Sequence, residues 1–331
     1  MELWASSRRR DARNGAPGGR LTTTLKQPIL MRMESHSPVR TSCRTADGLS
    51  LAVDLYNASG QPTLLFAHGF GQTRGAWNAA AATMAAQGCR CVSFDSRGHG
   101  ESDRVPGGEY HMEQFVEDLL GLARAQPKPP ILVGASMGGL LGLVVAGEMR
   151  PIPFRALVLV DITPRWETSG VERILAFMQA HPDGFASYVE AAEQIAAYLP
   201  QRRERKSEQQ LRPLLREGTD GRLRWHWDPD LLAGGLVSES ERYQPRLLAA
   251  ASTVEVPVLL LSGECSDVVS RHTVDEFLSL APHARHAEVP GATHMLAGDA
   301  NDAFTAQIAG FIASLESVDA DEAIEQPATR C

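Results

Sequence analysis

From Arg44 onward the chain alternates between short apolar runs and longer stretches with helical spacing. Leu49, Leu51, Val53 and Leu55 occupy alternate positions after the turn signal Ala46-Asp47-Gly48, which predicts an antiparallel hairpin at a sheet edge. Thr63–Ala67, Cys89–Phe94, Ile131–Val133, Ala156–Val160 and Val256–Leu261 are instead nearly continuous apolar runs, the pattern of strands covered on both faces. Helices are predicted over Ala76–Gln87, Tyr110–Ala125, the run after Gly139, Val274–Leu280 and Ala303–Leu315, with a further strand near Arg285–Val289. Short buried strands alternating with helices imply right-handed crossovers, and hence an α/β fold with a mostly parallel, doubly wound sheet.

The alternation stops after Asp161. Between Pro164 and about Ala251 the spacing turns helical, with one stripe at Val171, Ile174, Leu175 and Met178 and another at Phe185, Tyr188, Val189, Ala192, Ile195, Ala196 and Leu199. This predicts a helical cap over residues 164–251 inserted into a core of residues 41–163 and 252–316. Residues 1–40, with Arg8-Arg9-Arg10 and Ala16-Pro17-Gly18-Gly19, lack apolar periodicity and are expected to form a disordered extension, and residues 317–331 a flexible tail. Met31 and Met33 are alternative starts, and no apolar run follows the arginines to make a secretory signal.

Charge narrows the function. The first forty residues carry eight Lys/Arg against three acids, and the whole chain carries −8, so the remainder carries −13. An acidic body argues against a nucleic-acid partner, since phosphate binding needs a concentrated basic face. No apolar run is long enough for a membrane span. The cysteine count is odd (Cys43, Cys89, Cys91, Cys265, Cys331), and the spacing fits neither a disulfide framework nor a zinc site. Thiols in a reducing compartment, hence a cytoplasmic protein, are the reading. Gly98-His99-Gly100 opens no dinucleotide fingerprint, and neither a cofactor nor a metal is expected. The oligomeric state is left open.

The candidate chemistry centres on Ile131–Val145. An apolar strand runs into Gly134-Ala135-Ser136-Met137-Gly138-Gly139 and continues as an apolar helix, so Ser136 stands at a sharp strand-to-helix turn at the carboxyl end of its strand. A serine hydroxyl needs an imidazole to take its proton and a carboxylate to fix the imidazole's tautomer. His294, in the glycine-bearing loop after the last strand, is on the same sheet edge. For the carboxylate, Asp267 follows the Val256–Leu261 strand. Glu264 is its neighbour, and Asp161, at the tip of the strand after the serine helix, is the other candidate. Chain order favours Asp267 here. The two oxyanion donors are expected at the backbone N–H of Met137 and of Phe70, which lies in His68-Gly69-Phe70-Gly71. His68 is read as structural. Arg222-Leu223-Arg224-Trp225-His226-Trp227-Asp228-Pro229 either lines a pocket or packs the cap on the core.

Taken together, His68–Gly71, Asp95-Ser96-Arg97-Gly98-His99-Gly100-Glu101-Ser102-Asp103, Gly134–Gly139, and Gly263–Asp267 with Gly291–His294 give a chain that from about Ala46 to Leu315 resembles the α/β-hydrolase superfamily, in its capped branch with a serine nucleophile. The resemblance implies Ser136, Asp267 and His294 as a triad. Haloalkane dehalogenases and epoxide hydrolases of this fold carry aspartate where Ser136 stands, and haloperoxidase-like members commonly carry tryptophan at the Phe70 position. The expected function is therefore a serine hydrolase acting through an acyl-enzyme on a carboxylic ester of a small to medium hydrophobic molecule. Hydrolysis of a thioester or of a carbon–carbon bond in a diketone uses the same triad, and a ligand-binding receptor with a closing lid is the non-enzymatic alternative.

Overall fold

Strands whose neighbours cover both faces need no polar side, and Ile131, Leu132 and Val133 are accordingly buried throughout. The computed structural model describes residues 37–198, 205–233, 240–294 and 301–325. Its strands are β1 (Val39–Arg44), β2 (Ser50–Tyr56), β3 (Thr63–Ala67), β4 (Arg90–Phe94), β5 (Ile131–Ala135), β6 (Ala156–Val160), β7 (Leu215–Glu217), β8 (Leu223–Trp225), β9 (Val258–Gly263) and β10 (Arg285–Val289). The helices are α1 (Asn78–Ala86), α2 (Met112–Arg124), α3 (Met137–Glu148), α4 (Thr168–Gln179), α5 (Tyr188–Tyr198), α6 (Glu208–Leu211), α7 (Asp230–Ala233), α8 (Ser240–Thr253), α9 (Arg271–Leu280) and α10 (Asn301–Glu325).

Eight strands form one sheet in the order β1-β2-β4-β3-β5-β6-β9-β10. The β1–β2 hairpin is antiparallel and β2 also runs antiparallel to β4, while every other pairing is parallel. This is the expected edge hairpin on a doubly wound core. Side chains of β5 alternate between two cores: Ile131 and Val133 meet Trp77, Met84, Phe304 and Ile308 on the α1 and α10 side, while Leu132 joins Phe115, Leu143, Leu247 and Phe277 on the other. Each such fully buried aliphatic side chain contributes about 1.5–3 kcal/mol.

Between β6 and β9 the chain leaves the sheet as the expected cap, with two departures. The cap is not wholly helical: β7 and β8 pair as a small antiparallel hairpin, extended by a bridge from Phe185 to Leu223. Around it Phe185, Ala191, Ile195, Leu211 and Leu223 make a separate apolar cluster, which keeps Ala192 and Ile195 inside and leaves Val189 exposed. Moreover, α8 already belongs to the core. A Cβ added at Gly147 in α3 would stand 2.6 Å from Ala250 Cα, a close helix crossing that ends the cap before the Ala251 boundary. The disordered extension expected for residues 1–40 lies outside the described residues up to 36, and β1 begins at Val39. At the other end α10 carries the helical backbone through the stretch expected as a loose tail as far as Glu325; residues 326–331 and Leu199 lie outside the described residues. Among the described residues no helix is long and apolar enough to cross a membrane.

Candidate active site

Ser136 occupies the junction of β5 and α3 with φ 46° and ψ −116°, a conformation a serine adopts only when its surroundings hold it there. Those surroundings are glycine. A Cβ at Gly134 would sit 2.6 Å from the carbonyl carbon of Gly138, and one at Gly138 would sit 2.4 Å from the Ala67 oxygen at the end of β3. The turn can close this tightly only with hydrogen at both positions. The Ser136 amide donates to Val160 O at 3.1 Å, tying the turn to the tip of β6.

The residue after Val160 is Asp161, fully buried and also in the left-handed region, with φ 49°. Its Oδ1 accepts from the Gly263 amide at 2.7 Å. Its Oδ2 accepts from Ser266 Oγ at 2.5 Å and faces His294 Nδ1 at 2.8 Å. A carboxylate so placed fixes the imidazole with its proton on Nδ1 and leaves Nε2 as the free base.

The carboxylate that faces His294 in this arrangement is that of Asp161, whereas the acid expected from chain order is Asp267. Asp267 lies four residues past the end of β9, and its side chain pairs with Arg173 on α4. Helix α4 presses on that loop closely enough that a Cβ at Gly170 would stand 2.0 Å from Asp267 O. Glu264, the neighbour, accepts from the Gly291 amide at 2.7 Å and serves the loop that carries His294.

The His68–Gly71 loop passes directly over the serine, since a Cβ at Gly69 would lie 3.2 Å from Ser136 Cβ. The Gly69 amide donates to Gln72 Oε1 at 3.0 Å, while the Phe70 amide has no hydrogen-bond partner among the described residues. The Met137 amide is the first of α3, where the opening N–H groups have no intrahelical acceptor. Phe70 and Met137, whose amides are the expected donors, both line the cavity that Ser136 lines. His68 is structural, as expected: it is fully buried, its Nε2 accepts from Ser96 N at 2.9 Å, and burial lowers its pKa. The Asp95–Asp103 block is structural as well. Asp95 accepts from the amides of Arg74 and Glu101 and pairs with the Arg74 guanidinium, while Arg97 makes two bonds to Asp118.

Ser136, Phe70, Met137, Asp267 and His294 all line a single cavity of about 870 Å³ between sheet edge and cap. Its walls are mainly apolar, with Ile174, Met178 and Ile195 from the predicted cap stripes beside the charged Arg173, Lys206 and Asp267. Trp225 and Trp227 stack with centroids 4.7 Å apart, and Phe177 stacks on Tyr198 at 4.2 Å. The tryptophans both line the cavity and pack the cap. Trp227 is buried in the main core cluster, and the adjacent Asp228 accepts from Tyr110 Oη at 2.8 Å while its amide donates to Gly98 O at 2.8 Å. Among the described residues no group of three or more His, Cys, Asp or Glu is arranged to hold a metal ion.

The sheet order, the strained serine at the β5–α3 turn and the histidine after the last strand define a class, and the comparisons agree with it. Residues 64–307 match the alpha/beta hydrolase family, and the chain belongs to that family. It is 30% identical over 256 residues to a 3-hydroxybutyrate-oligomer hydrolase of Cupriavidus necator, covering 72% of this chain and 86% of that one. It is 29% identical over 267 residues to an sn-1-specific diacylglycerol lipase of Mus musculus, covering 76% and 81%. Among solved structures, that of E-2-(acetamidomethylene)succinate hydrolase superposes with a TM-score of 0.70 at 24% identity, over 83% of this chain and 99% of that one, a likeness of fold. Both sequence relatives are hydrolases.

Proposed function

We propose that this protein is a serine hydrolase that cleaves a carboxylic ester of a hydrophobic molecule through an acyl-enzyme, with Ser136, His294 and Asp161 as its triad. The observation that carries the reading is the hydrogen bond of 2.8 Å between the buried Asp161 and the partly buried His294 at the edge of a cavity that Ser136 also lines. Ser136 Oγ adds to the ester carbonyl while His294 Nε2 takes the hydroxyl proton, and Asp161 stabilises the imidazolium through Nδ1–H. The amides of Phe70 and Met137 donate to the oxyanion. Collapse of this intermediate breaks the bond to the alkoxy oxygen, which leaves with the proton from His294. Water then repeats the sequence on the acyl-enzyme, giving the acid and free Ser136.

The apolar wall and the volume of about 870 Å³ support a hydrophobic acyl or aromatic group larger than acetyl. Two relatives point the same way, since 3-hydroxybutyrate oligomers and diacylglycerol are both esters. The proposed partner is a small-molecule substrate, with neither nucleic acid nor a membrane span involved. The unpaired thiols of Cys43, Cys89, Cys91 and Cys265 support a cytoplasmic setting. A fluorophosphonate should label the wild type and not Ser136→Ala. In a kcat/KM series over p-nitrophenyl esters of increasing length, an acyl thioester and a vinylogous diketone, the esters should lead. A preference of more than about 100-fold for the thioester or diketone, roughly 2.7 kcal/mol of transition-state discrimination, would replace the ester with that bond. Labelling of the alanine variant would remove the serine mechanism.

A further inference from the structure

Three histidines from three distant segments lie in a row beneath the loop that carries Phe70. His68 directly follows β3, His99 sits in the turn after β4, and His226 comes from the cap. Ring centroids are 5.0 Å apart for His68 and His99 and 6.2 Å for His99 and His226, and all three rings are buried. Their partners settle the tautomers. His68 accepts from Ser96 N on Nε2 and so donates from Nδ1 to Gly69 O at 2.8 Å. His99 donates from Nδ1 to Arg97 O at 3.0 Å and accepts from Gly71 N on Nε2 at 3.2 Å. His226 accepts from Gly100 N on Nδ1 at 2.9 Å and donates from Nε2 to Gly71 O at 3.2 Å.

The consequence for the loop is direct. Gly69 O belongs to the same planar peptide as the Phe70 N–H, so the bond from His68 turns that N–H away from the column. Gly71, on the other side of Phe70, is held through its amide by His99 and through its carbonyl by His226. Only the last of these holds comes from the cap.

We infer that His226 is a positioning residue for the oxyanion donor: by holding the Gly71 carbonyl, the cap completes the geometry that aims the Phe70 N–H at the reacting oxygen. This rests on the ester-hydrolase reading above. Docking of the cap and completion of the oxyanion hole are then one event, and a substrate that seats the cap badly loses kcat as well as affinity. The histidine does this without touching substrate, and its buried, neutral form is the one that can accept from Gly100 while donating to Gly71.

The test compares wild type with His226→Asn and His226→Gln. Asparagine's amide oxygen can still accept from Gly100 but the side chain is too short to donate to Gly71 O, whereas glutamine's amide reaches it. Cap docking is kept in both by Asp228, through Tyr110 and Gly98. For a p-nitrophenyl ester, His226→Asn should lower kcat about ten- to hundredfold with KM within about threefold, and His226→Gln should recover most of the loss. The Ki of a trifluoromethyl ketone, which forms an oxyanion on Ser136, should rise in His226→Asn by the same factor as kcat falls. Unchanged kcat, a loss confined to KM, an unchanged ketone Ki, or equal damage by asparagine and glutamine would each overturn the inference. A wild type that takes no fluorophosphonate and turns over no ester would overturn the hydrolase reading and this inference with it. Where labelling and turnover are intact, the variant results bear on His226 alone.

Discussion

Asp161 Oδ2 lies 2.8 Å from Nδ1 of His294, and the two residues meet across the sheet edge, one at the tip of β6 and the other in the loop beyond β10. Asp267, one loop away, faces Arg173 on the cap instead.

This pairing ranks the two acids. Asp161→Asn should lower kcat by roughly 10³–10⁴-fold, the scale on which loss of a triad carboxylate acts elsewhere, because the amide offers its partner the wrong tautomer. Asp267→Asn should cost less than about tenfold, since it loosens a half-exposed ion pair with the cap. Steady-state kinetics of the two variants decide it, and the reverse ranking would return the role to Asp267.

The histidine column makes stability depend on pH in a defined window. Burial lowers the pKa of His68, takes His99 well below its usual value and brings His226 down to about 3. In the unfolded chain each would take up a proton near pH 6.5, so the unfolded state binds more protons and stability falls as pH drops below that value. Each histidine contributes about 1.4 kcal/mol per pH unit until its own folded pKa is reached. Urea midpoints from pH 8 to pH 5 should be flat at the upper end and fall below about 6.5. The fall should be shallower in His226→Asn, and parallel curves for the two proteins would count against a buried neutral His226.

Arg97 carries a buried load in the turn block. It is 1% exposed, with Nε and Nη2 each 2.7 Å from the oxygens of Asp118 and Nη1 2.8 Å from Asp47. Arg97→Met would strand the Asp118 carboxylate, whose pKa burial already raises, at a cost of about 3–5 kcal/mol in urea unfolding. Adding Asp118→Leu should recover part of that loss, and a single variant as stable as wild type would rule the network out as a stabilising element.

The serine turn tolerates no side chain beneath it. Gly138→Ala would place a methyl 2.4 Å from Ala67 O, so either β3 or α3 must move. Stability should fall by about 1–3 kcal/mol or more, the usual cost of overpacking. Fluorophosphonate labelling of the folded fraction should fall with it, because the same shift displaces Ser136. Full labelling at an unchanged melting temperature would show that the turn has slack.

The strands, their parallel arrangement, the edge hairpin and the turn around Ser136 are legible in the chain because they rest on neighbours: apolar periodicity, glycine at fixed offsets and turn chemistry all act within a few residues. For the same reason His294 and the Phe70 and Met137 amides can be placed at one sheet edge before any coordinates are seen. The acid could not be chosen that way. Ser136, Asp161 and His294 follow one another in the same order as Ser136, Asp267 and His294, and both aspartates lie just beyond strands that end at the same edge. Which carboxylate lies against His294 depends on a φ of 49° at Asp161, where the side chain reaches Gly263 and His294, and on α4 pressing on the Asp267 loop. His226 was equally hidden, since nothing around it in the chain names Gly71 or Gly100 as a partner. Asp161 and His294 are separated by 133 residues and His226 and Gly71 by 155, and contacts at that range are settled by how sheet, loops and cap pack together.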